Sequence, residues 1–159
     1  MNTAIIYYSK HGTTLKVAQM ISSKLSTENT LIDLKINTTP EIEKYDSIII
    51  GCSLYAGTSS KKMKSFCNNN IEYLKSKPIG LYVCGMEKEE IKQREELERA
   101  YPLELLEKAK SKQFLGGEFI LENMNFFERM IVKKIAKTDK SILAINHENI
   151  DKFVEEFIL

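Results

Sequence analysis

The stretch Thr3-Ala-Ile-Ile-Tyr-Tyr8-Ser9-Lys-His-Gly-Thr-Thr14 determines how the rest of the chain is interpreted. Its first half is a continuous apolar run, which is typical of a strand that is covered on both faces of a sheet. Its second half is small and rich in hydroxyls, and it leads into a helical pattern with Leu15, Ala18 and Ile21 on one face. The stretch therefore predicts the first strand, loop and helix of a parallel α/β unit.

The same alternation of apolar runs and helical patterns recurs along the 159 residues. Further strands are predicted at residues 30–36, 47–51, 79–84 and 119–121, of which the first alternates as a strand near a sheet edge does. Helical patterns lie between them, and Pro102 is expected to divide the one at residues 89–112. The pattern predicts one doubly wound α/β domain over residues 1–159, with a five-stranded parallel sheet of order 2-1-3-4-5 and helices on both faces.

Three loops are the places where a ligand site is expected in such a sheet. Ligands of doubly wound folds bind beyond the carboxyl ends of the strands, at the switch point beside strand one. The loops that follow Tyr8, Gly51 and Cys84 meet at that edge.

The loop Ser9-Lys-His-Gly-Thr-Thr14 has the composition of a phosphate site at the start of a helix. Unpaired backbone N–H groups and the helix dipole attract an anion there, and the Ser9, Thr13 and Thr14 hydroxyls add donors. A helix cap beside a glycine turn explains the same residues equally well. Neither a G-x-G-x-x-G nor a P-loop pattern is present, which argues against dinucleotide and P-loop nucleotide binding.

Composition excludes several classes of function. The 23 basic and 22 acidic residues leave a net charge of +1, without the basic field of a nucleic-acid binder or the acidic surface of a small electron carrier. Three separated cysteines and two histidines offer neither a disulfide framework nor a zinc site. No apolar run is long enough to span a bilayer, so we expect a cytoplasmic protein.

Three stretches carry a resemblance to the flavodoxin-like family. Ser9-x-x-Gly12-x-Thr14 resembles its FMN phosphate loop, with His11 where Ser or Thr is common, while Gly51-Cys-Ser-Leu-Tyr-Ala-Gly57 and Cys84-Gly-Met-Glu87 are similar to its two flavin-ring loops. The resemblance implies an FMN cofactor. The residues that it implies for FMN binding are Ser9, Lys10, His11, Gly12, Thr13, Thr14, Ser53, Leu54, Tyr55, Ala56, Gly57, Cys84, Gly85, Met86 and Glu87.

Within that family, the chain is most similar to the FMN-dependent protoporphyrinogen IX dehydrogenases. The stretch from Tyr45 to Gly57 resembles their third strand and flavin loop, and residues 125–135 resemble their helical insert near the last strand. This resemblance implies an oxidoreductase that passes electrons from a tetrapyrrole through FMN to a quinone. The alternative is a flavodoxin-type electron carrier without its own substrate. No side chain is identified as catalytic.

Individual residues of these loops have expected roles. Gly57 and Gly85 lack a Cβ, so either peptide could turn towards the flavin N5 atom. Because the chain has no tryptophan, Tyr55 or Leu54 is expected to contact the flavin ring. Cys52 and Cys84 end neighbouring strands, where a buried cysteine usually behaves as a small apolar residue.

Residues 124–137 form a basic amphipathic segment, which is expected to be a helical insert at about residues 124–138. Met124, Phe127, Met130, Ile131 and Ile135 share an apolar face, and Arg129, Lys133, Lys134 and Lys137 add positive charge. Such a helix suits peripheral contact with the inner face of an anionic membrane, or an acidic substrate. A helix packed on its own domain with a solvated basic face has the same pattern.

Two signalling classes with related architecture lack their chemistry in this chain. A phosphoreceiver needs acidic residues after strand one and an aspartate at the end of strand three, where this chain has Tyr8-Ser9 and Gly51-Cys52. A small tyrosine phosphatase needs a cysteine and an arginine around its phosphate loop, and residues 9–14 contain neither.

Overall fold

The computed structural model describes residues 1–54, 57 and 59–159, apart from the side chain of Ile135, and its centre is a parallel sheet. The five strands lie in the order β2-β1-β3-β4-β5, which confirms the predicted topology. Their bounds are β1 Asn2–Tyr8, β2 Glu28–Asp33, β3 Ser47–Ser53, β4 Ile79–Cys84 and β5 Ser111–Phe114.

Helices follow the strands in the alternation that the sequence predicts. Asn70 separates two short helices, and Pro102 separates two more, as expected from its missing N–H. Single 3₁₀ turns lie at Ile42–Lys44 and Leu121–Asn123. The α-helices are α1 Thr13–Lys24, α2 Lys61–Asn69, α3 Ile71–Lys75, α4 Glu90–Ala100, α5 Leu103–Lys108, α6 Phe126–Ala136 and α7 His147–Ile158.

Apolar clusters cover the central strands on both faces of the sheet. Successive side chains of a strand point to opposite faces, so neighbouring residues belong to different clusters. Ile48 and Ile50 of β3 pack in one apolar cluster with α2 to α5. Ile49, between them, packs in a second cluster with α1 and α7. Continuous apolar strands such as β1 and β3 are the sequence consequence of this double cover.

The fifth strand is the one element that the sequence analysis places wrongly. Residues 119–121 were expected to form it, but the strand beside β4 is Ser111–Phe114. Phe119 instead ends β6 Gly116–Phe119, which pairs antiparallel with β7 Ile142–Ile145 in a separate sheet. The error arises because β5 is a short edge strand with polar residues and little apolar signal. Gly116, at φ +73°, turns the chain between the two strands.

The bounds of other elements differ by a few residues. β2 ends at Asp33 rather than at Ile36, whose side chain is 87% exposed. The last helix begins at His147, because the Asn146 side chain accepts a hydrogen bond from the Asn149 N–H and caps it. The insert helix α6 occupies residues 126–136 of the expected 124–138.

The Tyr82 ring crosses the neighbouring strand β3 at Gly51. A Cβ atom at Gly51 would lie 1.9 Å from the Tyr82 Cζ atom, so only glycine leaves room for the ring. The fully buried Tyr82 hydroxyl donates a hydrogen bond of 3.2 Å to the Thr14 carbonyl in the first turn of α1. This contact fixes the start of α1 relative to the centre of the sheet.

Replacing Gly51 with alanine should destabilise the fold, because the new methyl group forces Tyr82 away from Thr14. The expected loss in the free energy of unfolding is about 1–3 kcal/mol or more, as for other overpacked cores. Chemical denaturation measures it, with the exposed Lys62→Ala as a control that should leave stability unchanged. An unfolding free energy of G51A equal to that of the wild-type protein would show that the ring has room to move.

Candidate functional site

A cleft of about 240 Å³ lies at the carboxyl ends of the central strands, where the sequence analysis expects the site. All three predicted loops contribute to it, and Gly12 is the described candidate that does not line it. Tyr55 and Ala56 lie outside the described residues. The predicted residues that line the cleft are Ser9, Lys10, His11, Thr13, Thr14, Ser53, Leu54, Gly57, Cys84, Gly85, Met86 and Glu87.

The loop after β1 is built as a cap for α1. Gly12 occupies the N-cap position at φ +97°, a conformation that favours glycine, and its N–H donates to the Ser9 Oγ atom at 3.0 Å. The first turn of α1 contains no acidic residue. Lys35 donates from its Nζ atom to the Ser9 carbonyl at 2.8 Å and brings a positive charge to the loop. The helix start is therefore suited to an anion.

Thr14 supplies a buried hydroxyl at this helix start. The residue is fully buried, yet its Oγ1 atom has no nitrogen or oxygen hydrogen-bond partner among the described residues. It interacts with the neighbouring Cys84 thiol, which is only a weak hydrogen-bonding group. Since buried hydroxyls are usually paired, Thr14 is a donor available to a bound group.

Backbone contacts hold the other two loops together. The Leu54 N–H donates to the Cys84 carbonyl at 3.0 Å, and this bond joins the loop after β3 to the end of β4. Gly57 has φ +74°, a conformation that favours glycine. The Gly85 N–H donates to the Gly116 carbonyl at 3.1 Å, which ties the loop after β4 to the start of β6.

Two acidic residues beside the loop after β4 have shifted pKa values. Glu87 accepts hydrogen bonds from the N–H groups of Glu89 and Lys88, and these bonds, led by that of Glu89, lower the pKa of its carboxyl. Burial, with the nearby Glu87 charge, raises the pKa of Glu96, which also lines the cleft. The cleft therefore has two carboxyls of unlike proton affinity at one end.

The two-stranded sheet of β6 and β7 brings residues that the sequence analysis did not place in the site. A Cβ atom at Gly117 would lie 2.7 Å from the Gly85 carbonyl oxygen, so β6 and the loop after β4 touch through their backbones. Glu118 is buried beside α1. Its Oε1 atom pairs with the Lys16 ammonium at 2.7 Å, and its Oε2 atom has no hydrogen-bond partner among the described residues.

The insert helix α6 also reaches the loop after β1. The Glu128 Oε1 atom lies 2.8 Å from the Lys10 Nζ atom and 3.6 Å from the His11 Nε2 atom. Its Oε2 atom accepts the Asn125 N–H at 3.1 Å and completes a capping box with the Asn125 side chain. The hydrogen bond from Lys10 is the main reason that the pKa of Glu128 is lowered.

Sequence reasoning found the loops of the site but not all its walls. Met124 and Ile131 were predicted as part of an apolar helix face, and both line the cleft. The Gly116-Gly117 pair is a turn signal that would have divided residues 111–119 correctly. The lining residues not predicted for the site are Glu96, Gly117, Glu118, Phe119 and Val132.

The cysteines behave as apolar residues, in agreement with the sequence analysis. All three are reduced and buried. Burial raises the pKa of the Cys52 thiol to about 12, and it raises the pKa values of Cys67 and Cys84 as well. Thiolates, which are the reactive form, are therefore disfavoured at neutral pH. Within the described part of the chain, no group of three or more His, Cys, Asp or Glu residues could hold a metal ion.

A parallel sheet of this order, with a cleft at the switch point, defines the doubly wound ligand-binding class of α/β proteins. A family model described as "Flavodoxin domain" matches residues 4–142, and the chain belongs to that family. No protein of curated function matches the sequence significantly.

Solved structures share the fold at low sequence identity. Flavodoxin 1 from Bacillus cereus is 16% identical, with a TM-score of 0.52 over 99% of this chain and 97% of that one. The FMN-bound flavodoxin from Fusobacterium nucleatum is also 16% identical, with a TM-score of 0.51 over 99% and 95%. A flavo di-iron protein mutant from Thermotoga maritima is 17% identical, with a TM-score of 0.56 over 98% of this chain but only 36% of that one.

The length and polarity of the helices bear on membrane topology. No helix in the described residues is both long and apolar enough to cross a bilayer. The longest, α1 and α7, each have 12 residues.

Proposed function

We propose that this chain binds FMN in the cleft and works in electron transfer. The observation that carries the proposal is the buried Thr14 hydroxyl at the acid-free N-terminus of α1, which interacts with the weak Cys84 thiol but has no nitrogen or oxygen partner among the described residues. A phosphate group would accept from this hydroxyl and from the first N–H groups of the helix. The solved flavodoxin from Fusobacterium nucleatum is described as bound to FMN, and it shares the fold.

The remaining walls suit the other parts of FMN. Leu54 and Met86 lie in the two loops expected at the flavin ring, and both line the cleft. Phe119, Met124 and Val132 extend this apolar lining from the insert side. Bound FMN supplies a centre that accepts and returns electrons, while the chain positions it and limits its contact with water.

Replacing Thr14 with valine tests the phosphate site, because valine keeps the volume and removes only the hydroxyl. A hydrogen bond to a charged group contributes about 1.5–3 kcal/mol, so FMN affinity should fall roughly tenfold or more. Riboflavin, which lacks the phosphate, should bind T14V and the wild-type protein alike. Quenching of flavin fluorescence during titration measures both affinities.

The exposed Thr30→Val is the matched control, and it should bind FMN as the wild-type protein does. If FMN does not bind the wild-type protein, the proposed function is wrong. If T14V binds FMN unchanged, Thr14 does not contact the phosphate.

We propose further that the substrate is a reduced tetrapyrrole and the acceptor a quinone, as the resemblance to the protoporphyrinogen dehydrogenases implies. The apolar lining that the insert adds to the cleft supports an apolar substrate. The exposed cations Lys134 and Lys137 of that insert suit the propionates of a tetrapyrrole, whereas Lys133 pairs with Asp139 at 3.0 Å. A flavodoxin-type carrier, the alternative, needs neither feature.

Turnover distinguishes the enzyme from the carrier. The FMN-loaded protein should oxidise a reduced porphyrinogen, with each pair of electrons and protons recovered as quinol. Porphyrin fluorescence and quinone absorbance report the two halves of the reaction, and free FMN at the same concentration is the control. If the protein binds flavin but neither oxidises the tetrapyrrole nor reduces the quinone, the proposed enzyme activity is contradicted. The flavodoxin-type electron carrier is then the remaining proposal.

The outer face of α6 supports peripheral contact with an anionic lipid surface. Phe126 and Phe127 are 71% and 75% exposed, with their ring centroids 5.9 Å apart, and Met130 is 53% exposed on the next turn. The exposed lysines of the same helix would lie near lipid phosphates. Apolar insertion together with basic side chains is the usual composition of an interfacial helix.

Replacing Phe126 and Phe127 together with serine should abolish binding to vesicles that contain phosphatidylglycerol. The wild-type protein should sediment with these vesicles and not with pure phosphatidylcholine, because its lysines need anionic headgroups. Ile36→Ser, at an exposed apolar residue remote in sequence, should leave sedimentation unchanged. If the double variant sediments with these vesicles as much as the wild-type protein does, Phe126 and Phe127 do not contact the lipid surface.

A further inference from the structure

One ionic cluster joins the insert to the loop after β1. The Glu128 carboxylate lies between the Lys10 ammonium, at 2.8 Å, and the His11 imidazole, at 3.6 Å. The three residues come from segments more than 110 positions apart in the chain. Lys10 and His11 line the cleft at the loop that holds the proposed phosphate site.

The position of Glu128 is fixed from its own helix as well as by the cluster. Its second oxygen accepts the Asn125 N–H, and the Asn125 side chain accepts the Glu128 N–H at 2.9 Å. Only 11% of the Glu128 side chain is exposed, and Val132, one turn later, is buried on the same face. A carboxylate buried to this degree needs a paired cation, here the Lys10 ammonium, since an isolated buried charge is costly.

We propose that Glu128 sets the selectivity of the site between phosphorylated and unphosphorylated flavins. This inference rests on the proposed FMN binding and deepens it. The carboxylate already accepts the hydrogen bond of Lys10, and it places a negative charge beside the loop that receives the phosphate. The insert therefore weakens the preference for FMN over riboflavin that the loop would have without it.

The physical reason is competition for the same cation, the Lys10 ammonium. A phosphate monoester carries nearly two negative charges at neutral pH. At the start of α1 it would approach the cluster and be repelled by Glu128, while Lys10 could satisfy only one of the two anions fully. Riboflavin has no charge at that position, so Glu128 should leave its affinity unchanged.

The variant Glu128→Gln separates charge from structure. Glutamine can replace glutamate in a capping box, so the bond to the Asn125 N–H is retained while the charge is removed. FMN should bind E128Q roughly tenfold more tightly than it binds the wild-type protein at low salt, a difference that added salt reduces. Riboflavin should bind both proteins with the same affinity.

The matched control is Glu122→Gln, which makes the same change of net charge in the exposed 3₁₀ turn before α6. It should leave the affinities for FMN and riboflavin unchanged. A second variant, Lys10→Gln, should weaken FMN binding more in the E128Q protein than in the wild-type protein. The reason is that the Glu128 charge no longer competes with the phosphate for the Lys10 ammonium.

Each outcome of these titrations separates the two proposals. Tighter binding of FMN alone to E128Q supports the inference. An equal change for FMN and riboflavin means that Glu128 only holds α6 in place, and it overturns the inference, as does an unchanged or weakened FMN affinity. If neither the wild-type protein nor E128Q binds FMN, the proposed function itself fails.

Discussion

The contact between Tyr82 and Thr14, made across Gly51, is the constraint on which the site depends. The fully buried Tyr82 hydroxyl of β4 donates a hydrogen bond to the Thr14 carbonyl in the first turn of α1. The Tyr82 ring can reach this carbonyl only because Gly51 of β3 has no Cβ atom. The same turn presents the Thr14 side chain to the cleft. The proposed phosphate site is thus positioned by a central strand rather than by its own loop alone.

The insert completes this site and changes its electrostatics. Two carboxylates from the segment after β5, Glu118 and Glu128, pair with the basic residues Lys16 and Lys10 around the start of α1. A bare helix N-terminus with two lysines would favour any anion. With both lysines already paired, the proposed phosphate binding would rely on directed donors such as the Thr14 hydroxyl, so recognition would depend on geometry as well as on net charge.

How much the sequence could predict follows from where each signal lies. β1, β3 and β4 are buried on both faces, so their apolar runs are unambiguous, and their loops follow at known positions. β5 is a four-residue edge strand with three polar side chains, so its pattern was too weak to identify it. The capping box of α6 is a local signal that the sequence contains. The pairing of its glutamate with Lys10 is not, because it depends on how the insert packs against a loop far away in the chain.

The helix α6 links the interior of the site to the surface. On one side of the helix, Glu128 contacts the loop after β1 and Val132 lines the cleft. On the other side, Phe126, Phe127 and Met130 are exposed. Ile131 belongs to both environments, since it lines the cleft and is 42% exposed. A partner or lipid surface that covers the exposed rings would therefore lie against the wall of the proposed flavin cleft, where an apolar electron acceptor could enter without crossing water. Any displacement of α6 by such a contact would also move Glu128 relative to Lys10, so the proposed acceptor docking and cofactor affinity would be coupled through one helix.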